Sequence, residues 1–110
     1  MCGITGYFDT REQQRTDLTT LMAMTEQLRH RGPDASGHIH LDNLGFGFRR
    51  LAIIDLAADT QPVSSEDGRI ITICNGEFYN YEELRHDLLS KGHYIKSKCD
   101  TDLLPHLYEE

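Results

Sequence analysis

The chain begins Met1-Cys2-Gly3-Ile4-Thr5-Gly6-Tyr7-Phe8, and two properties of these residues organise the rest of the molecule. Ile4 to Phe8 is short, apolar at alternate positions and rich in β-formers, which predicts a first strand. Cys2 stands directly before it. If an aminopeptidase removes Met1, which the small side chain of Cys2 allows, one residue carries both a thiol and a free α-amine. An α-amine titrates near pH ~8 and a thiol near ~8.5, so the amine can take up the thiol proton, directly or through a water. This is the N-terminal variant of the nucleophile and base pair. Cys2 reads equally as a small apolar residue opening a strand, since free cysteine is commonly buried and inert. Only partner residues further along decide between the two.

Working outward, Thr16 or Asp17 can cap a helix whose apolar positions Leu18, Leu21, Met22 and Leu28 recur at helical spacing, with Thr25 in register. That stripe is expected to pack into the core. Gly32 and Pro33 end the helix at His30-Arg31-Gly32-Pro33-Asp34, because Pro33 forces Gly32 from the α region. Ser36 to Leu41 and Leu44 to Arg49 alternate on either side of Asp42-Asn43, which predicts a β-hairpin. Gly45 and Gly47 leave one face of its second strand bare, open to close approach by another backbone. Arg49 to Asp55 is an apolar segment entered through two arginines, and it runs into an irregular stretch through Gln61-Pro62.

Glu66-Asp67-Gly68 predicts a turn into Arg69 to Cys74, where Ile70, Ile71 and Ile73 predict a central strand buried on both faces. Asn80 with Glu83 has the spacing of a capping box, Leu84 and Leu88 share a face, and Gly92 follows the end of that helix. His93 to Lys98 is expected to return as a strand. Pro105 suits only a first helical turn, so the last helix should begin near Asp102.

Composition excludes several functions. With 11 Lys and Arg against 18 Asp and Glu, the 110 residues carry a formal charge of −7 and no basic run, which disfavours nucleic acid as a partner. One domain or part of one is the size limit. Three cysteines without CxxC spacing argue against a disulfide framework or a zinc site and for a reducing compartment. No apolar run reaches the ~18 residues that span a bilayer. The first residues also lack the blocks of a signal peptide. A cytoplasmic protein without a membrane partner is expected. His38 and His40 share a strand face, but no third ligand stands at metal-site spacing, so no metal is expected.

Three further parts could act together with Cys2. The Asn75 amide and the Gly76 N–H, at a strand end, could both point at one oxygen, as an oxyanion hole requires. Arg50 can grip a carboxylate through two parallel hydrogen bonds, and Glu77 and Asp100 can accept from an ammonium. Such a site would select an α-amino acid and attack its side-chain carbonyl, as in glutamine or asparagine. Singly, Asn-Gly is also a turn, Arg50 a surface residue and Asp100 a helix cap.

The motifs Met1-Cys2-Gly3-Ile4, His30-Arg31-Gly32-Pro33-Asp34, Arg50-Leu51-Ala52-Ile53-Ile54-Asp55, Asn75-Gly76-Glu77-Phe78-Tyr79-Asn80-Tyr81 and Cys99-Asp100-Thr101-Asp102 together resemble the class II glutamine amidotransferases. These are N-terminal-nucleophile hydrolases. Within that class the motifs look most like the glutaminase domain of glutamine-hydrolysing asparagine synthetases. The resemblance covers essentially the whole chain and implies an α+β fold, a four-layer α/β/β/α sandwich. Residues 1–110 would be its N-terminal part, truncated, because the family's glutaminase domain continues beyond Glu110 and its synthetase domain is absent here. It implies that Cys2 is the nucleophile and that Asn75 and Gly76 form the oxyanion hole. Arg50 would hold the glutamine carboxylate, Glu77 and Asp100 its α-amine, and Leu51, Ala52, Ile53 and Ile54 would line the pocket.

The implied partners are L-glutamine and a synthetase domain in cis, with a homodimer a possible assembly. No cofactor is expected in this chain, since ATP and Mg would serve only the missing synthetase domain. Three departures stand out: Met1 would block the α-amine if retained, Asp102 replaces the usual Glu, and Pro105 replaces an ordinary helix former. Two rival readings remain open. One is a glutamine-binding module without turnover, the other an N-terminal-nucleophile hydrolase or amidotransferase with a different acyl substrate or ammonia acceptor.

Overall fold

A computed structural model describes residues 2–11, 17–51 and 61–110. β1 (Gly3–Phe8), β2 (Ala35–His40) and β3 (Leu44–Arg50) form one antiparallel sheet in the order β1-β3-β2. The predicted hairpin is β2–β3, closed by a backbone bond from the Leu41 N–H to the Leu44 carbonyl at 2.8 Å. Gly3 opposes Arg49 and Phe8 opposes Leu44 in the β1–β3 ladder. Because side chains alternate across a strand, Thr5, Gly47 and His38 share one face, while Ile4, Phe48 and Gly37 share the other.

α1 (Leu18–Glu26) packs on the first of these faces. Asp17 caps it, its carboxylate accepting from the Thr19 N–H at 3.0 Å. Leu21 is fully buried and contributes ~1.5–3 kcal/mol. Thr25 is also buried and returns its hydroxyl to the Leu21 carbonyl at 2.8 Å. The bare positions of β3 are used here, although side chains and not a backbone approach them. A Cβ on Gly47 would run into the Thr25 hydroxyl, and one on Gly45 would meet the Tyr7 ring at 2.7 Å. Two expectations need correction. Leu18 and Met22 are exposed, because α1 touches the sheet only through its Leu21–Thr25 side. Leu28 lies beyond the helix, which ends at Glu26, and sits against Gly3.

The second half of the chain folds around a smaller core of Leu88, Ile95 and Leu103. β4 (Val63–Ser64) and β5 (Ile71–Thr72) pair antiparallel across the predicted turn, where Gly68 takes φ +71°. The expected central strand is thus a two-residue strand paired to β4, and Ile70 to Ile73 are half-buried. α2 (Tyr81–Ser90) begins at Asn80, whose side chain makes no capping bond, so the expected capping box is not formed. Glu82 and Glu83 in its first turn still complement the helix dipole. Its C-terminus is a Schellman motif: Gly92, at φ +91°, donates to the Leu89 carbonyl and His93 to the Leu88 carbonyl.

Residues 93–98 form no strand. Two of their N–H groups are taken by side chains instead of a ladder, Tyr94 by Glu66 at 2.8 Å and Ser97 by Asp102 at 3.1 Å. A 3₁₀ turn (Asp100–Leu103) leads into α3 (Leu104–Glu109), with Pro105 in the first turn of that helix as expected. The architecture is therefore α+β with antiparallel sheets. Among the described residues no helix is long and apolar enough to cross a membrane.

Candidate active site

The β1–β3 register builds the first half of the site. Gly3 opposes Arg49, so continuing the ladder by one residue sets Cys2 opposite Arg50, on the face that carries Phe48. Leu51 then follows β3 directly, and its N–H donates to Cys2 Sγ at 3.4 Å, with the Leu51 carbonyl 3.9 Å from the same sulfur. Two further residues fix the backbone of Cys2. Arg31 Nε donates to the Cys2 carbonyl at 3.2 Å and Asn75 Nδ2 to the same oxygen at 3.1 Å. Arg31 reaches it because Gly32 lets the post-helix loop lie against Arg49 and Arg50, where any Cβ would collide with their backbone. Buried Arg49 clamps that contact by donating from Nε to the Gly32 carbonyl at 2.7 Å.

The second half comes from the segments after β5 and before α3. Asp100 joins them: one carboxylate oxygen accepts from the Phe78 N–H at 2.7 Å and the other from the Thr101 N–H at 2.9 Å. That pair draws the Asn75–Phe78 loop towards the 3₁₀ turn. Gln61 supports the same loop from behind. Its side chain mimics a strand neighbour, accepting from the Cys74 N–H at 2.5 Å and donating to the Cys74 carbonyl at 2.8 Å. A weaker contact of 3.4 Å ties it to the Thr101 hydroxyl.

Cys2, Arg50, Asn75, Gly76 and Asp100 line one open cleft of about 130 Å³, with Cys74, Cys99 and Gln61 among its walls. Burial pushes the Cys74 thiol up from its ordinary value, and the Asp100 charge adds to that. Glu77 is exposed and does not contribute to the lining of this cleft. Leu51 contacts Cys2, whereas Ala52, Ile53 and Ile54 lie outside the described residues. The arrangement sets a sulfur nucleophile, a guanidinium, an amide donor, a loop N–H and a carboxylate around one space. This is a set able to hold a zwitterion and polarise a carbonyl.

Two features escape the sequence. Gln61 stands in an irregular stretch, and nothing in its spacing points at Cys74. Away from the cleft, Glu66, His93, His106 and Glu109 converge so that one ligand atom from each lies within 4.8 Å of the others. His38 and His40, which share a strand face, belong to no such group among the described residues. Burial alone would raise the Glu66 carboxyl. The hydrogen bonds from its own amide and that of Tyr94, with the His106 charge and the His93 contact, outweigh it and hold the group at about 2. A cavity of about 560 Å³ adjoins this cluster, lined in part by Pro62, Ser65, Glu66, Tyr94 and His106.

Comparison with known proteins gives the same class. A family model described as a glutamine amidotransferase domain matches residues 1–110. The chain belongs to the glutamine amidotransferase family. Among curated proteins it is 44% identical over 106 residues to an asparagine synthetase [glutamine-hydrolyzing] 1 of Bacillus subtilis, covering 94% of this chain and 17% of that protein. It is 42% identical over 111 residues to a nodule asparagine synthetase [glutamine-hydrolyzing] of Pisum sativum, covering 100% and 18% respectively. The corresponding protein 2 of Lotus japonicus is 41% identical over 111 residues, again 100% of this chain and 18% of the relative. The chain thus spans under a fifth of the length of these relatives.

Proposed function

We propose that the chain carries the glutamine-hydrolysing site of an asparagine synthetase, releasing ammonia and glutamate from L-glutamine through a thioester on Cys2. The observation that carries this reading is the single cleft shared by Cys2, Arg50, Asn75, Gly76 and Asp100. The Cys2 sulfur gives its proton to the α-amine exposed by loss of Met1 and attacks the side-chain carbonyl carbon. The resulting oxyanion is stabilised by the second N–H of the Asn75 amide and the N–H of Gly76. The amine returns the proton to the leaving nitrogen, ammonia departs, and water cleaves the thioester to glutamate.

Arg50 binds the substrate carboxylate and Asp100 the α-ammonium; Glu77, exposed and outside the lining of the cleft, would join Asp100 only by turning towards bound substrate. Asn75 supports this role well, because its bond to the Cys2 carbonyl ties the oxyanion donor to the nucleophile's own backbone. Leu51, with Ala52, Ile53 and Ile54, would complete the pocket wall. In the whole protein the ammonia would pass to an ATP-dependent synthetase domain in cis that makes asparagine from aspartate. The chain is then the N-terminal part of a sandwich-type glutaminase domain. The sheet face opposite α1 suits that architecture: it is apolar, and its Ile4 and Phe8 are 44% and 65% exposed.

The test is ammonia release from glutamine by chain whose loss of Met1 is established by intact mass, beside Cys2→Ala. The parent should turn over and the variant should bind glutamine without turnover. Turnover by the alanine variant would remove Cys2 from the mechanism, and full retention of Met1 in the cell would favour a binding module.

A further inference from the structure

We infer that Glu66, His93, His106 and Glu109 form a structural site for one divalent transition cation of the zinc type. Four ligand atoms, two imidazole nitrogens and two carboxylate oxygens, make up the set. His93 Nδ1 lies 3.2 Å from Glu66 Oε1 and 3.5 Å from Glu109 Oε2. His106 Nδ1 lies 3.1 Å from Glu66 Oε2 and 3.8 Å from Glu109 Oε2. A tetrahedral zinc ion with bonds of about 2.0–2.1 Å needs its ligand atoms about 3.3 Å apart; each imidazole nitrogen already stands near that distance from one oxygen of Glu66, and the whole set lies within 4.8 Å, so small side-chain rotations would close it on an ion. The two rings meet edge-on, with an interplanar angle of 61° and centroids 5.3 Å apart, and both Nδ1 atoms lie against the carboxylates of Glu66 and Glu109.

The supporting contacts are those a metal site uses. Glu110 faces His93 Nε2 at 2.8 Å, so the outer nitrogen can donate to a carboxylate while Nδ1 binds the ion. The Tyr94 N–H donates to Glu66 Oε1 at 2.8 Å and sets the rotamer of that carboxylate. His106 is 3% exposed, and His106 and Glu109 stand three residues apart on α3, hence on one helix face. Two carboxylates balance the charge of a divalent ion, and two imidazoles favour zinc over calcium or magnesium. The 560 Å³ cavity bordered by Glu66 and His106 gives the ion a way in. An ion here would fasten together the β4–β5 turn, the segment after α2 and α3. The site is separate from the glutaminase cleft and does not depend on it.

The test uses the chain freed of metal by a chelator. It is titrated with Zn²⁺ by calorimetry, and with Co²⁺ followed by visible absorption. One equivalent should bind, the cobalt spectrum should be tetrahedral without a thiolate charge-transfer band, and zinc should raise the melting temperature. His93→Gln and Glu109→Gln, at partly exposed positions, should each weaken binding by at least about tenfold and abolish the thermal shift. No saturable binding, unchanged affinity in both variants, or a thiolate band placing the metal on the cysteines would each overturn the assignment. The cobalt spectrum is read on the parent chain, so it decides the matter even if a variant does not fold.

Discussion

Gln61→Ala removes the side chain that pairs with both backbone groups of Cys74, and it separates support of the Asn75 loop from the chemistry itself. Two hydrogen bonds are lost, from the Cys74 N–H and to the Cys74 carbonyl, and Gln61 is 7% exposed. A fully buried orphaned group costs ~1–3 kcal/mol, and since Cys74 is only half-buried the low end applies, about 1 kcal/mol for each. The space left by the shortened side chain adds about 1 kcal/mol. The sum, ~3 kcal/mol, is a ~100-fold shift in the folding equilibrium and a large share of the ~5–15 kcal/mol that small domains possess. Cys74 precedes Asn75, so the oxyanion donors should move as well, and a displacement near 1 Å can cost ~10²-fold in rate. Urea unfolding measures the first effect and kcat for ammonia release the second. Gln61→Glu should rescue neither fully, because a carboxylate can accept from the Cys74 N–H but cannot donate to its carbonyl. A loss below about 0.5 kcal/mol with unchanged kcat would refute this role for Gln61.

Three further outcomes are expected. Asn75→Ala should lower kcat by ~10²–10³-fold with little change in KM, whereas Arg50→Lys should mainly raise KM because an ammonium cannot make the bidentate contact; steady-state kinetics with the two phenotypes exchanged would reverse the assigned roles. The Cys74 thiol is raised by burial and by the Asp100 charge, so its thiolate is disfavoured in the fold and stability should fall as pH climbs past the ordinary thiol value of ~8.5. Alkylation followed by peptide mass at pH 8 should therefore be slower at Cys74 in folded than in urea-unfolded chain, and equal rates would contradict it. Leu88→Ala, at a fully buried position packed with Ile95 and Leu103, should cost ~2–5 kcal/mol by urea unfolding; a cost under 1 kcal/mol would mean that this cluster is not a core.

The hairpin and the α2 terminus were legible because local chemistry decides them. Asp42-Asn43 between alternating runs, and Gly92 at a left-handed position, leave the backbone few alternatives. Cys2, Arg50, Asn75, Gly76 and Asp100 stand out in the sequence through motif order, and the β1–β3 register accounts for why Cys2 and Arg50 line one cleft. What could not be read depended on which groups compete for a backbone. Residues 93–98 have strand composition, yet Glu66 and Asp102 side chains take the N–H groups a ladder would use. Ile70 to Ile73 is apolar enough for a central strand, but β5 pairs with a two-residue β4 and stays half-buried. Leu18 and Met22 fit the helical stripe and still face outward, because the close approach of Thr25 to Gly47 sets how α1 sits. Gln61 and the His–Glu cluster join residues far apart in the chain, and no one-dimensional spacing encodes such a meeting.

The most direct test of the Cys2 nucleophile is to treat Met1-free chain with a glutamine analogue bearing an electrophilic carbon at the side-chain carbonyl position and map the adduct by peptide mass. Three cysteines line the same cleft, so the reagent can report on each. The thioester mechanism predicts one equivalent on Cys2, blocked by excess glutamine, with Cys74 and Cys99 unmodified. An adduct on Cys74 or Cys99, or none on Cys2, would contradict it.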